Sequence, residues 1–261
     1  MLLLRLLIIV LLIYTGFGAY LYLVQRSFIY MPVRDQHPGH DNFILVQSGE
    51  EAIKVWAISP GRDKAVIYFG GNAEDVFYNI PEFRETLPGH SSYLVNYRDY
   101  GGSSGTPTEQ GLFADALAVY DRLQEQHAQI SVIGRSLGSG VATYLASQRP
   151  VDRLILVTAP DSALAIGKSA YPFYPIGLLL KDKYDSTRYA PQIDSPTLLL
   201  IAERDNIIPM KHSLKLFESF PPGVAEKIVI PAAGHNDLSL FPEYWERMEE
   251  FLRKSSVEAG L

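Results

Sequence analysis

Three residues in this chain have types and settings suited to nucleophilic chemistry: Ser136, Asp205 and His235. Ser136 lies in Gly134-Arg135-Ser136-Leu137-Gly138, after the apolar run Ile130 to Ile133 and before Val141 to Ala146, which suits a helix. A strand, a sharp turn and a helix in that order lift a serine hydroxyl above a sheet edge. The flanking glycines spare the neighbouring strand and helix a collision. The serine then faces a helix N-terminus, whose free N–H groups and dipole favour developing negative charge. Asp205 follows the strand-like Thr197 to Ala202, and His235 follows Lys227 to Ile230. A serine hydroxyl is a poor nucleophile until an imidazole takes its proton. A carboxylate must hold that imidazole in one tautomer and stabilise its cation.

Other residues compete for these roles. Asp237 is two positions beyond His235, where bonding to its own loop is the expected task, and Glu203 is a second substitute acid. The oxyanion of such a reaction needs two backbone donors. Leu137 N–H, directly after the serine, is one. Asn72 N–H, in Gly70-Gly71-Asn72 after the strand Ala65 to Phe69, is the other, with Gly71 as fallback. Asn72 also reads as a helix N-cap, which does not exclude that role. His37, His40, His90, His127 and His212 lack a comparable context, although His37 and His40 with Asp41 can be drawn as a metal cluster. No metal or cofactor is expected. Gly101 to Gly105 lacks the following Lys-Ser/Thr of a phosphate-binding loop.

The elements that must position these residues alternate along the chain. Phe43 to Val46 and Ile53 to Ile58 predict an antiparallel hairpin at a sheet edge. Continuous apolar strands follow at Ala65 to Phe69, Ser92 to Asn96, Ile130 to Ile133, Leu154 to Val157, Thr197 to Ile201 and Lys227 to Ile230. Helices are expected from Ala73 to about Leu87, from Thr108 to Gln126, from Lys211 to Ser219 and from Phe241 to Leu252. Such alternation implies an α/β fold: a mostly parallel central sheet with helices on both faces and its chemistry in the loops after the strands. The long connection 161–190 contains Tyr171, Phe173, Tyr174, Ile176, Leu178 and Leu179. It reads either as a small apolar cap over Ser136 that admits an acyl chain or as a surface helix packed on the domain.

Composition narrows the function classes. The 261 residues carry a net charge of −6 without a basic stretch, which argues against a nucleic-acid partner. A hydrophobic fraction of 47% excludes a disordered chain, and the lack of Cys excludes disulfides and thiolate catalysis. Met1 to Val24 is apolar except for Arg5, long enough for one bilayer-spanning helix. Residues 1–25 therefore read as an N-terminal anchor or signal segment, with an uncleaved anchor preferred over cleavage near Gly16-Phe17-Gly18. Residues 26–261 read as the catalytic domain. Arg5 on one side and Arg26 and Arg34 on the other nearly balance, so the side of the domain is undetermined, with the extracytoplasmic side slightly favoured. The sequence leaves the oligomeric state open.

The Ser, Asp, His order with these loops resembles the α/β-hydrolase superfamily. Gly70-Gly71-Asn72-Ala73, Asn96 to Gly105, Gly134 to Gly138, Asp205 to Pro209 and Gly234 to Asp237 are similar to the membrane-anchored branch of lysophospholipid lipases and protein depalmitoylases. That branch commonly has His-Gly-Asn-Ala where Gly70 replaces the His here. The resemblance implies hydrolysis of an ester or thioester of a lipid-like or acyl substrate through a covalent acyl-enzyme. A serine peptidase and a non-catalytic membrane scaffold on the same fold remain as alternatives.

Overall fold

The computed structural model describes residues 1–37 and 39–254. Pro38 and the end of the expected 26–261 domain lie outside them. A long helix, α1 (Leu2–Ile29), precedes an eight-stranded sheet. The strands are β1 (Phe43–Ser48), β2 (Glu51–Ile58), β3 (Lys64–Phe69), β4 (His90–Val95), β5 (Gln129–Arg135), β6 (Leu154–Val157), β7 (Thr197–Ala202) and β8 (Ala225–Ile230). Their order is β1-β2-β4-β3-β5-β6-β7-β8. Only the β1–β2 and β2–β4 pairings are antiparallel, so the hairpin forms the edge as its alternating pattern requires.

Continuous apolar strands are needed because both faces are covered. In β3, Ile67 and Phe69 join a core with α3 (Glu109–Leu123), α4 (Leu137–Gln148) and α8 (Met210–Phe217). Val66 and Tyr68 point the other way, into a core with α2 (Ile80–Thr86) and α9 (Pro242–Arg253). β6 divides the same way, Leu154 and Leu156 against Ile155 and Val157. The period of two puts neighbouring residues on opposite faces.

One expected helix is shorter than its sequence suggested. Ala73 has a φ of 58°, and Val76–Asn79 is a 3-10 turn capped by Asp75, whose carboxylate accepts the Phe77 N–H. Regular α-helix starts only at Ile80, with Pro81 in its first turn, where a proline lacks no needed bond. The segment Ala73 to Asp75 is drawn out of the helix because Glu74 bonds elsewhere.

Between β6 and β7 the chain forms α5 (Ala163–Ala170), α6 (Ile176–Leu179) and α7 (Ser186–Tyr189). Asp161 roots this excursion. Its buried carboxylate meets His212 Nδ1 at 2.8 Å and Lys215 Nζ at 2.7 Å, both on α8. Burial works against its charge, but the Lys215 and His212 hydrogen bonds outweigh it and hold the carboxyl below its usual value. A depressed carboxylate contributes stability above its unfolded value, near 4, and loses it as pH falls through the folded-state value. Asp161→Asn is therefore expected to be less stable than wild type at neutral pH. In denaturant titrations, that gap should narrow as the pH drops below about 4.

Candidate active site

Parallel pairing brings the candidate residues together. β3 lies beside β5 with Phe69 opposite Gly134, so the loop after β3 abuts the turn from β5 into α4. Ser136 occupies that turn with φ 50° and ψ −112°, a conformation that costs about 1–3 kcal/mol. The glycines explain how it is tolerated. A Cβ on Gly134 would lie 2.5 Å from the Gly138 carbonyl oxygen and 2.6 Å from Ala142 Cβ. A Cβ on Gly138 would overlap the Phe69 carbonyl at the end of β3.

Ser136 Oγ lies 3.0 Å from His235 Nε2, and His235 Nδ1 lies 2.7 Å from Asp205 Oδ2. An ionised carboxylate only accepts, so Nδ1 carries the proton and Nε2 presents its lone pair to Oγ. The Ile207 and Ile208 N–H groups donate to Asp205 Oδ1 at 2.9 and 2.7 Å, fixing the carboxylate plane. The competing acids are engaged locally. Glu203 accepts the Ala232 N–H at 2.8 Å, and Asp237 accepts the Gly234 N–H at 2.6 Å.

The loop after β3 is held by Glu74, which sequence inspection did not single out. Its Oε1 accepts from Tyr68 Oη at 2.7 Å and Asn79 Nδ2 at 2.6 Å. Oε2 accepts from Gly71 N–H at 2.6 Å and Arg135 Nη1 at 3.1 Å. Arg135 also donates to the His235 carbonyl at 3.3 Å, so one ion pair links the loop, the turn and the histidine loop. Burial opposes the Arg135 charge, but Glu74 overcomes it and holds the guanidinium above its ordinary value. The Gly71 N–H is thereby spent, which removes the fallback oxyanion donor.

Asn72 N–H has no protein acceptor among the described residues. Its side chain does not cap a helix. Oδ1 accepts the Met31 N–H at 2.7 Å and the Tyr100 hydroxyl at 2.9 Å, tying the loop to the end of α1. Leu137 is the first residue of α4, where an N–H lacks an intrahelical acceptor. Gly70 also has a reason: a Cβ there would sit 2.7 Å from Val76 Cγ1 and 3.2 Å from the Glu74 carboxyl carbon. Glu74 and Val76 fill the room that a histidine at this position would need.

The other histidines fall outside this constellation. His37 stacks on Phe77 at 3.6 Å between centroids and pairs with Asp75 at 2.8 Å. His127 is held between Tyr93 and the Arg62 carbonyl. Above Ser136 lies an apolar cavity of about 290 Å³. One wall comes from Ile166, Ala170 and Ile176 of α5 and α6, the other from Leu21, Phe28 and Ile29 of α1. Residues of the 161–190 segment thus share one cavity with Ser136.

Residues 64–174 match the family described as alpha/beta hydrolase fold. An uncharacterized protein of Mycobacterium tuberculosis is 34% identical over 252 residues, spanning 89% of this chain and 88% of that protein. Alpha/beta hydrolase domain-containing protein 17C of Xenopus tropicalis is 28% identical over 204 residues, 74% of this chain and 63% of the relative. Among solved structures, a Pyrococcus furiosus esterase superposes with a TM-score of 0.69 at 22% identity, covering 86% of this chain and 97% of its own. A monoacylglycerol lipase of Paleococcus ferrophilus gives 0.60 at 16% identity, over 77% and 96% of the two chains. At those identities the likeness is one of fold. With the sheet order, the turn at Ser136 and these matches together, the chain belongs to the α/β-hydrolase superfamily.

Proposed function

We propose that this protein is a serine hydrolase that cleaves a carboxylic ester or thioester of an acyl substrate through an acyl-enzyme. The observation that carries the reading is the hydrogen-bonded line from Ser136 Oγ through both ring nitrogens of His235 to Asp205. Ser136 Oγ attacks the carbonyl carbon as its proton passes to His235 Nε2. The carbonyl electron pair moves onto oxygen, and the Leu137 and Asn72 N–H groups receive that oxyanion. Each such donor is worth about 3 kcal/mol in the transition state. Collapse breaks the bond to the leaving group, which takes the Nε2 proton. Water, deprotonated by His235, then releases the acid from Ser136. The cavity above Ser136 is apolar, which suits an acyl chain on the carbonyl side.

The same reading makes α1 an uncleaved membrane anchor. Its uncharged run from Leu6 to Gln25 is about 30 Å long as a helix, matching a bilayer core. Tyr14, upstream of the Gly16-Phe17-Gly18 site, bonds to the 161–190 segment, so cleavage there would remove contacts that the folded domain makes.

A fluorophosphonate probe should label the wild type and leave Ser136→Ala unlabelled. Turnover of p-nitrophenyl esters by that variant should fall by about 10⁴-fold or more while its circular dichroism is unchanged. Full turnover in Ser136→Ala would refute the mechanism. Asp205→Asn should lower kcat by about 10⁴-fold, because His235 then loses the acceptor that sets its tautomer. Glu74→Gln keeps the volume but leaves the Arg135 guanidinium without its carboxylate. A loss of about 3 kcal/mol in denaturant titrations is expected. Turnover should also drop, mainly through kcat, as the Asn72 donor loses its fixed position.

A further inference from the structure

We propose that α1 forms part of the substrate site and that the tip of the 161–190 cap is sunk in the near leaflet. A bilayer-resident acyl ester then reaches Ser136 sideways from the lipid. The substrate class rests on the hydrolase reading above; the position of the cap does not.

The argument begins with length. The cap docks along α1 from Tyr14 to Arg26. Tyr14 Oη donates to the Phe173 carbonyl at 2.7 Å, and Tyr174 Oη donates to the Tyr14 carbonyl at 3.1 Å. The Tyr14 and Tyr174 rings stack 4.6 Å apart. At the other end, Gln25 bonds to the Leu179 carbonyl and the Lys181 N–H, and Arg26 meets Asp182 at 2.7 Å. Of the uncharged run Leu6 to Gln25, only Leu6 to Ile13 is clear of the cap, a helix of about 12 Å at 1.5 Å per residue. A hydrocarbon core is about 30 Å thick. The missing ~18 Å must come from Tyr14 to Gln25, the stretch at whose start Phe173 and Tyr174 are docked. An α1 that spans the bilayer therefore carries the cap tip below the lipid surface.

The cap is built for that depth. Phe173 and Leu178 are 84% and 86% exposed, large apolar side chains with nothing from the protein over them. Lipid cannot satisfy backbone polar groups, so a buried segment must do so itself. Tyr171, Tyr174, Ile176, Leu178, Leu179 and Leu180 each donate their N–H to a carbonyl within the cap, and from Tyr171 to Leu180 the Phe173 N–H alone outside the helices has no acceptor among the described residues. Pro172 and Pro175 have no N–H to satisfy. Charge returns where the chain climbs back toward the body. Lys181 Nζ lies 4.2 Å from the Tyr22 ring centre, and Arg26 pairs with Asp182 there, which suits a headgroup level.

The cavity joins the same elements. Its lining includes Ser136 and Leu137 together with Leu21 of α1 and Ala170 and Tyr171 of the cap. Its lining thus includes Leu21, in the part of α1 that the length argument places in hydrocarbon. An acyl chain can stay in apolar surroundings from the leaflet to the carbonyl, and only the ester needs to leave the lipid.

The chain contains no cysteine, so single cysteines report cleanly. Full-length Phe173→Cys, Leu178→Cys and Glu125→Cys would each be labelled with bimane in phosphatidylcholine nanodiscs. Glu125 is an exposed residue before β5, at the opposite end of the strands from Ser136. The expected result is strong quenching at 173 and 178 by lipids brominated on their acyl chains, and quenching at 125 by aqueous iodide only. Iodide quenching without bromolipid quenching at 173 and 178 would overturn the immersion, whatever the catalytic activity. A second measurement addresses the cavity. Leu21→Trp, filling it from the α1 side, should lower the ratio of palmitoyl to acetyl ester turnover at least tenfold. An unchanged ratio in an active enzyme would remove α1 from the substrate site. A wild type inactive on both esters would instead sink the hydrolase reading and leave the quenching result standing.

Discussion

Everything at the centre of this molecule depends on one close approach. The turn from β5 into α4 passes against the last carbonyl of β3 with no room for a side chain at Gly138. That contact lets the chain hold Ser136 at positive φ, and the surrounding ladder keeps it there. The Ser136 N–H donates to the Val157 carbonyl at 2.9 Å, and the Ser139 N–H returns to the Ser136 carbonyl at 3.1 Å. The strain is small beside the burial of the two strands that flank it. Because β3 rather than β4 neighbours β5, the loop after β3 comes within reach of Ser136. A Cβ on Gly71 would stand 3.7 Å from Ser136 Cβ. Strand order thus assembles a site whose parts are more than 130 residues apart along the chain, from Asn72 to His235.

The fold and the Ser136, Asp205 and His235 grouping were legible because each piece carries a local signature. Strands covered on both faces read as unbroken apolar runs, and a tight turn demands small residues at fixed offsets. The ordering of the three loops then made His235 stand out from five other histidines. What stayed hidden were pairings whose partners are remote in sequence and ordinary in type. Glu74 and Arg135 look like solvated charges until β3 and β5 are placed side by side. His212 meets Asp161 only because α8 packs where the chain leaves β6. The helix expected from Ala73 was misjudged for a related reason. Local propensity favoured it, but Glu74 gains four partners by leaving it, and Ala73 turns with positive φ to allow that.

Asn72 shows how an amide can look like a helix cap and do something else. Its side chain ties down Met31, just beyond α1, while its own N–H has no acceptor among the described residues. Tyr97 adds a second tie by donating to the Gly70 carbonyl at 2.7 Å. The loop is therefore fixed from β4's end, from Glu74 beneath it and from α1 above it. Three independent restraints thus hold the loop after β3 in place.

The ties to α1 set it apart from a tether. A flexible tether would need only length and hydropathy, and it would end in a linker. Here Asp182, 5% exposed at its side chain, depends on Arg26 for its countercharge and on the Glu109 N–H at 3.1 Å for its remaining support. The Tyr30 and Tyr184 hydroxyls meet at 2.9 Å, and Tyr184 in turn backs Gly140 of α4. Taking α1 away would strand a buried carboxylate, open the cavity wall at Leu21 and Phe28, and free Asn72 from Met31. Leaving a buried charge unpaired costs several kcal/mol, more than a surface helix contact returns. Helix α1 is consequently built into the structure around Ser136: Leu21, Phe28 and Ile29 line the cavity, and Arg26 holds the helix on through Asp182.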